Sequence, residues 1–189
     1  MTPLTTTYFE TSRLRARSFS SADVEAFVAY RADPEVARYQ GWETSYARAD
    51  AEKLVAEQAG AELATPGEWL QLGAVTRADG ALAGDCAVRV AGEPPATAEV
   101  GVTFAPAYQG RGLAGEALAA VVGELFARHA IHRVFAQADE RNVAVHRLLE
   151  RLGFRCEARF VEADWFKGAW STLRVYAVLA RDWPPRHLM

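Results

Sequence analysis

The sequence predicts a single α/β domain, and three observations carry that prediction. A glycine-rich segment, Gln109-Gly110-Arg111-Gly112-Leu113-Ala114-Gly115, separates an apolar strand-like run ending at Phe104 from a strongly helical one. After it, Leu113, Ala117, Leu118, Val121, Val122 and Leu125 recur at helical spacing and make one apolar face. The chain as a whole reads as helices first, then a β meander, then a β-α-β unit, a further helix and two strands. Its 189 residues fit one domain with a sizeable core, so residues 1–189 are read as one unit.

Taken in order, Arg13 to Arg17 alternates and reads as an edge-like strand. Ser20 or Ser21 caps a helix through about Tyr30, and Asp33-Pro34 breaks it. Glu35 to Tyr46 is irregular and aromatic, and a second helix spans roughly Arg48 to Ala61. Trp69 to Thr76 and Leu82 to Val90 read as strands joined by the Ala78-Asp79-Gly80 turn. Gly92-Glu93-Pro94-Pro95 ends the second of them, and the next strand is Thr97 to Phe104. Beyond the glycine segment and its helix come a strand, His132 to Ala138, and a shorter helix, Val143 to Leu152, closed by Gly153. Phe154 to Val161 and Leu173 to Ala180 are the final strands, and Pro184-Pro185 lies in a tail outside the core.

Composition narrows the function. Half the residues are hydrophobic and 24% are charged, as in an ordinary soluble protein. No apolar run approaches the roughly 20 residues of a membrane span, so no membrane association is expected. Met1-Thr2-Pro3-Leu4-Thr5 lacks the charged and apolar regions of a secretory signal, which points to the cytoplasm. A net charge of −3 without a long basic run argues against nucleic acid as partner. Cys86 and Cys156 both lie in apolar strand-like segments and read as small buried hydrophobes. With no CxxC and no His/Cys cluster, no metal is expected.

The glycine segment points to chemistry. Gly110, Gly112 and Gly115 oppose helix stability by up to about 1 kcal/mol each relative to Ala in a helix interior. They suit a backbone that lies bare against a ligand, because a helix N-terminus carries unpaired N–H groups and partial positive charge. Such an end cradles phosphate. No Gly-Lys-Ser/Thr follows, which excludes a P-loop. The three glycines do spell G-x-G-x-x-G, with Asp139 ending the next strand where a ribose-binding acid could sit. Ala105 to Gln109 intrudes between strand and first glycine, however, and the 50 residues after Asp139 are too few for the second half of a doubly wound sheet.

Gln109, Gly112 and Ala114, read as Gln-x-x-Gly-x-Ala, resemble the acetyl-coenzyme A loop of the GNAT superfamily of N-acetyltransferases. The resemblance extends to Asp33-Pro34-Glu35-Val36, Glu99-Val100-Gly101-Val102, Gly115-Glu116-Ala117-Leu118, Asn142, Leu152-Gly153-Phe154 and Val175 to Leu179, in the manner of the RimJ/RimL branch. It covers roughly residues 10 to 183. It implies a mixed, mostly antiparallel sheet, splayed at the coenzyme site, with helices on both faces. It implies an enzyme that transfers acetyl from acetyl-CoA directly to a primary amine: a protein N-terminus, an amino acid, a polyamine or an antibiotic amine. A homodimer is compatible with it. The alternatives are an acyl-CoA-binding sensor module and an NAD-binding protein.

The residues expected to hold the coenzyme are Gln109, Gly110, Gly112, Ala114 and Gly115 through the loop, with Arg111 adding charge or remaining solvated. Interior Gly101 marks a bulge or a close approach. The resemblance implies that the thioester carbonyl meets the Val102 backbone there, with Val100 and Phe104 beside the pantetheine arm. Asn142 is a helix N-cap, a coenzyme contact, or both. Glu99, on the strand face opposite Val100, is the expected general base; Glu116 reads as a structural acid in a first helical turn. Many GNAT members carry a Tyr seven residues after the Asn as general acid; this chain has Leu149, and Val145 where a Ser is often found. Tyr39 and Trp42, with Trp69, are expected to line the acceptor site.

Overall fold

The computed structural model describes residues 5–92 and 96–183. Thr5 apart, the N-terminal residues read for a signal, the Glu93-Pro94-Pro95 strand stop and the Pro184-Pro185 tail lie outside them.

Eight strands form one sheet: β1 (Thr7–Glu10), β2 (Leu14–Arg17), β3 (Leu70–Thr76), β4 (Leu82–Ala91), β5 (Ala96–Phe104), β6 (Ile131–Asp139), β7 (Arg155–Phe166) and β8 (Ala169–Leu179). Their order across the sheet is β1-β2-β3-β4-β5-β6-β8-β7. Every neighbouring pair is antiparallel except β5 and β6. That parallel pair needs a crossover, which α4 (Leu113–Arg128) supplies. The remaining helices are α1 (Val24–Arg31), α2 (Pro34–Ala37), α3 (Arg48–Glu57) and α5 (Val143–Arg151).

The two faces of the sheet hold two cores. All six residues of the expected α4 stripe are buried, between 0 and 6% exposed. They pack with Cys86, Val88, Val100, Val134 and the α5 leucines Leu148 and Leu149. On the other face Phe19, Phe27, Tyr30, Val36 and Ala51 pack against Val75 and Leu82. Successive strand residues point to opposite faces, so Asp85, next to Cys86, meets the α1 side. There it is wholly buried and accepts from the Tyr30 hydroxyl at 2.6 Å, with Arg31 Nη2 at 3.6 Å. Burial pushes the Asp85 carboxyl up, against the pull of Arg31 and Tyr30. The Arg31 guanidinium lies over Trp42 at 3.9 Å and over Phe27 at 4.3 Å, which ties the α2–α3 segment to α1.

Four features differ from the sequence reading. β1 is an additional edge strand, too short for its pattern to register. Asp33-Pro34 does end α1, but it also starts α2: the Asp33 carboxylate accepts from Glu35 N and Val36 N, and Pro34 takes the first helical position. β7 and β8 form a longer hairpin than expected, turning at Lys167-Gly168. Cys156, on the edge strand β7, is exposed; Cys86 is buried as expected, and burial pushes its thiol well above the usual range.

Gly84 is where β4 and β5 come closest. A Cβ there would stand 2.2 Å from Thr103 O and 2.8 Å from Phe104 Cα. Gly84→Ala should therefore lose about 3 kcal/mol of unfolding free energy, whereas Gly41→Ala, with nothing within 4 Å, should change it by less than about 0.5. Urea unfolding of the two variants checks the contrast.

Candidate functional site

The parallel pairing of β5 and β6 runs from Ala96 with Ile131 to Glu99 with Phe135 and stops there. β5 continues to Phe104 paired with β4 alone, and β6 continues to Asp139 paired with β8 alone. The strands part, and a cavity of about 1200 Å³ fills the parting. Residues 100–104 and 136–139 form its walls, the glycine loop and α5 one end, and α2 with Tyr39 and Gln40 the other. Gly101 sits in this wall. The β4–β5 register is continuous through it, so it marks no bulge there; its missing side chain leaves the wall low.

The loop is built to start a helix without a side-chain cap. A short turn over Pro106–Tyr108 leaves β5, and Gln109 Nε2 donates to Phe104 O at 2.8 Å, fastening the loop to the strand end. Gly110 and Gly112 take φ of 72° and 75°, the left-handed region that glycine adopts freely. Gly112 is the N-cap residue of α4 and provides no capping side chain. The N–H groups of the first turn are therefore open to an anionic ligand, and the helix field favours one. Gly115 serves packing: a Cβ there would stand 3.4 Å from Leu148 Cδ1, so α5 lies directly against the start of α4. These residues fit the diphosphate of a nucleotide coenzyme.

Gly110, Gly112, Ala114, Gly115, Gln109, Val102, Asn142 and Tyr39 all line the cavity. Asn142 is also the N-cap of α5, its Oδ1 accepting from Val145 N at 3.3 Å. Arg111 does not line it. Its side chain faces a second cavity of about 560 Å³, shared with Arg13 and Arg77 on the far side of the loop. Trp42 lies behind the wall, its Nε1 donating to Arg31 O at 3.0 Å. Trp69 stacks under Arg89 at 4.9 Å, away from the cavity.

Four carboxylates near the site have different surroundings. Glu116 accepts from Thr11 Oγ1 at 2.5 Å, Arg13 N at 2.9 Å and Arg13 Nε at 2.5 Å. Burial raises its pKa, but these bonds outweigh it and the carboxyl stays below its ordinary value. It ties the β1–β2 turn to α4, and Arg13 Nη1 braces Arg111 O from outside at 2.9 Å. Glu99 does not line the cavity. Its carboxylate accepts from Arg89 Nη2 at 2.5 Å and from Gln137 Nε2 at 3.3 Å, and Gln137 is itself part of the wall. Glu99 thus stands one hydrogen bond behind the cavity. Asp139 lies in the wall, where the bidentate Arg141 guanidinium and the Ser171 hydroxyl hold its carboxyl far below the usual range. Neighbouring Glu140 is lowered to about 2 by Arg159 and Arg174.

Leu149 and Val145 both face the cavity and bring no hydroxyl; the hydroxyl side chains in its lining are Tyr39, Thr103 and Tyr108. His146 is buried, its Nε2 3.0 Å from Asp139 O, and its ring stacks on Tyr176. Sequence reasoning missed Gln137, Arg141 and Lys167, and read Asp139 as a candidate ribose-binding acid and not as the partner of Arg141 and Ser171. The Lys167 ammonium donates to Ala37 O and Trp42 O, each at 2.7 Å, and so pins the α2–α3 segment that carries Tyr39. The Lys-Gly pair at a hairpin tip was the available signal, but the strands were expected to end before it. Among the described residues no group of three or more His, Cys, Asp or Glu side chains could hold a metal, and no helix is long and apolar enough to cross a membrane.

The acetyltransferase (GNAT) domain model matches residues 13–155. An uncharacterized N-acetyltransferase of Bacillus subtilis strain 168, YnaD, is 31% identical over 46% of this chain, an alignment that spans about half (51%) of YnaD itself. A GNAT-family acetyltransferase structure from Bacillus anthracis superposes with a TM-score of 0.81 at 25% identity, covering 91% of this chain and 98% of that one. RimL, the ribosomal L7/L12 α-N-protein acetyltransferase, solved in complex with coenzyme A, has the same fold, with a TM-score of 0.78 at 18% identity over 92% of this chain and 98% of its own. The mixed, mostly antiparallel sheet and this match set aside the dinucleotide alternative.

Four ion-paired acidic groups make stability pH-dependent: Asp139 and Glu140 at the end of β6, Glu116 on α4 and Asp23, whose carboxylate accepts from Arg17 just before α1. Asp139, Glu140, Glu116 and Asp23 are all depressed in the folded chain, so their contribution is complete above their ordinary range and lost as pH falls through it. Unfolding free energy should fall as pH drops from about 5 towards about 2. Asp139→Asn should be less stable at neutral pH and show a shallower fall, as measured by urea unfolding at a series of pH values.

Proposed function

The chain belongs to the acetyltransferase (GNAT) family, and from that premise we propose that it transfers the acetyl group of acetyl-CoA directly to a primary amine. The observation that carries this reading is the parting of β5 and β6 beyond Glu99, which opens onto the uncapped, glycine-built start of α4. The CoA complex of RimL supports the choice of coenzyme. Within the family we read the chain as RimJ/RimL-like and cytoplasmic, active as a single domain or a homodimer. Its acceptor is a protein N-terminus, an amino acid, a polyamine or an antibiotic amine.

The chain's residues divide the work. The loop N–H groups from Gly110 to Gly115 hold the pyrophosphate, and Gln109 keeps them in place through Phe104 O. The β5 backbone at Val102, free of a strand partner on its β6 side, supplies a hydrogen bond for the thioester carbonyl. Val100 and Phe104 shield the pantetheine arm. Asn142 reaches the same arm from α5. At the other end Tyr39 faces the acceptor, with Trp42 holding its segment from behind.

The acceptor must lose a proton before it attacks. An α-amino group, with pKa about 7.7–8.0, needs little help; a lysine-type amine near 10.4 needs more. Glu99 accepts that proton through water passing Gln137, since its carboxylate stands behind the wall. Asp139 is a poor base because Arg141 and Ser171 commit its charge. The thiolate leaves without a dedicated acid: a thiol of pKa about 8.5 needs little protonation assistance. The hydrocarbon side chains of Leu149 and Val145 favour a second reading, an acyl-CoA sensor that binds without turnover.

Acetyl-CoA at about 100 times its dissociation constant should stabilise the fold by about 2.7 kcal/mol, and NAD should not. A thermal-shift comparison checks this; a shift with NAD and none with coenzyme A overturns the assignment. With an acceptor found by amine screening, Glu99→Gln should lower the single-turnover rate by roughly 10² to 10⁴ and flatten the acid limb of its pH profile, with coenzyme affinity unchanged. A variant with wild-type rates would remove Glu99 from the proton path. Binding with no turnover on any amine would favour the sensor.

A further inference from the structure

The parting of β5 and β6 gives the large cavity two faces. On β5, Val100, Val102 and Phe104 turn to the α4 side and pack with its core. Gly101 and Thr103 turn to the other side, in register with Ala87 and Asp85 of β4. Counting on from Glu99 paired with Phe135, Gly101 stands level with Gln137 across the parting. Nothing in the fold requires glycine at 101. Its φ lies outside the left-handed region, and a Cβ there would meet only Ala87 Cβ, at an ordinary 3.7 Å. The strand would accept a side chain, so the bare floor at Gly101 serves the cavity and not the packing.

Two polar side chains beside that floor lack partners. Gln137 Nε2 donates to Glu99 Oε1 at 3.3 Å. A carboxylate only accepts, so the Gln137 amide must present its NH2 group to Glu99. Its Oε1 then has no partner among the described residues, on a side chain that lines the cavity. Thr103 lines the same cavity and is 8% exposed, yet its hydroxyl makes no hydrogen bond to any described residue. A hydroxyl so deeply placed normally has a partner. Asp139, level with Thr103 on β6, already has its carboxylate bonded to Arg141 and Ser171.

We propose that the reacting amine sits over Gly101 and donates one N–H to Gln137 Oε1 and the other to Thr103 Oγ1. This rests on the acetyl-transfer reading above and adds to it a selectivity for unsubstituted primary amines. Once the acceptor has lost its first proton towards Glu99, two N–H bonds remain. The two oxygens take both, and the lone pair is left for the thioester carbon beside Val102. The nitrogen forms the new C–N bond as the C–S bond breaks. The departing sulfur takes the electron pair of that bond, and then the proton that the nitrogen sheds. A secondary amine has a single N–H, so one of the two oxygens would be shut in without a donor. That penalty exceeds the net gain of an ordinary hydrogen bond.

Steady-state kinetics on a primary amine and its N-methyl derivative test the seat, with the amine chosen by screening spermidine, alanine amide and a tripeptide with a free α-amino group. The wild type should favour the primary amine by at least about 10²-fold in kcat/KM. Thr103→Val should raise the KM of the primary amine about tenfold, keep kcat within about threefold and narrow the preference to about tenfold. Thr103→Ser, which keeps the hydroxyl, should restore the wild-type values. Gly101→Ala should raise KM in the same way, because its methyl group takes the floor. Gln137→Met should raise KM and also lower kcat, since the proton path to Glu99 passes it. Calorimetry should show coenzyme A affinity unchanged in all four variants. If Thr103→Val fails to fold, the exposed Gln137 and the unstrained Gly101 decide the matter. Wild-type KM and preference in the variants overturn the seat and leave acetyl transfer standing. A matching loss of coenzyme affinity marks a structural role and also overturns it. Turnover of none of the three amines overturns the transfer reading and the seat together.

Discussion

The structure depends on one broken pairing. β5 and β6 run parallel for four residue pairs and then separate, each kept straight by its other neighbour. The antiparallel ladder with β4 carries β5 on to Phe104, and Gly84 lets the two strands close up there without a clash. The ladder with β8 carries β6 on to Asp139. A sheet interior normally leaves no backbone group unpaired. Here the edges of two central strands, unpaired with each other beyond Glu99, line a cavity. The crossover helix α4 then starts at the mouth of the same parting, because it must bridge these two strands. Peptide dipoles and open strand edges thus converge on one volume.

Electrostatics divide that volume. The uncapped start of α4 puts positive potential at the loop end, α5 adds Arg147 and Arg151 with Glu150 between them, and Asp33, Glu35 and Asp139 lie elsewhere in the lining. A positive loop end suits a polyanionic coenzyme. The carboxylates are not interchangeable. Asp139 is locked to Arg141, Glu116 to Arg13 and the Thr11 turn, and Asp33 to the start of α2. Glu99 is bonded to Arg89, and its link to the cavity passes by Gln137. Lys167 and Arg31 hold the α2–α3 segment from two sides, so the α2 end of the cavity rests on contacts remote from it in sequence.

Much of this was legible in the sequence. The α4 stripe was, because six apolar residues at helical spacing leave one solution, and all six are buried. The loop was, because glycines at a strand–helix junction serve no purpose in helix stability. What escaped depends on tertiary partners or on short elements. β1 has four residues and no run to reveal a period. Pro34 reads equally as the end of α1 and the start of α2. Cys156 alternates with its neighbours like a core residue, but β7 is the sheet edge, a position set by topology. The directions of Arg111 and Trp42 also could not be read: Arg111 turns outward beside Arg13, and Trp42 is drawn back by Arg31. Gly115 reads in the sequence as part of the phosphate cradle; the structure shows a packing role, since a Cβ there would stand 3.4 Å from Leu148 Cδ1.

The central claim is that the parted edges of β5 and the start of α4 together hold the coenzyme. Amide hydrogen exchange, measured residue by residue with and without coenzyme A, tests it most directly. The account predicts slower exchange at Val102 and its β5 neighbours and from Gly110 to Gly115 when coenzyme is bound, with β4 amides from Ala83 to Val90 unchanged. Protection confined to other segments, with the β5 edge and the glycine loop exchanging as fast as in the free protein, would contradict it.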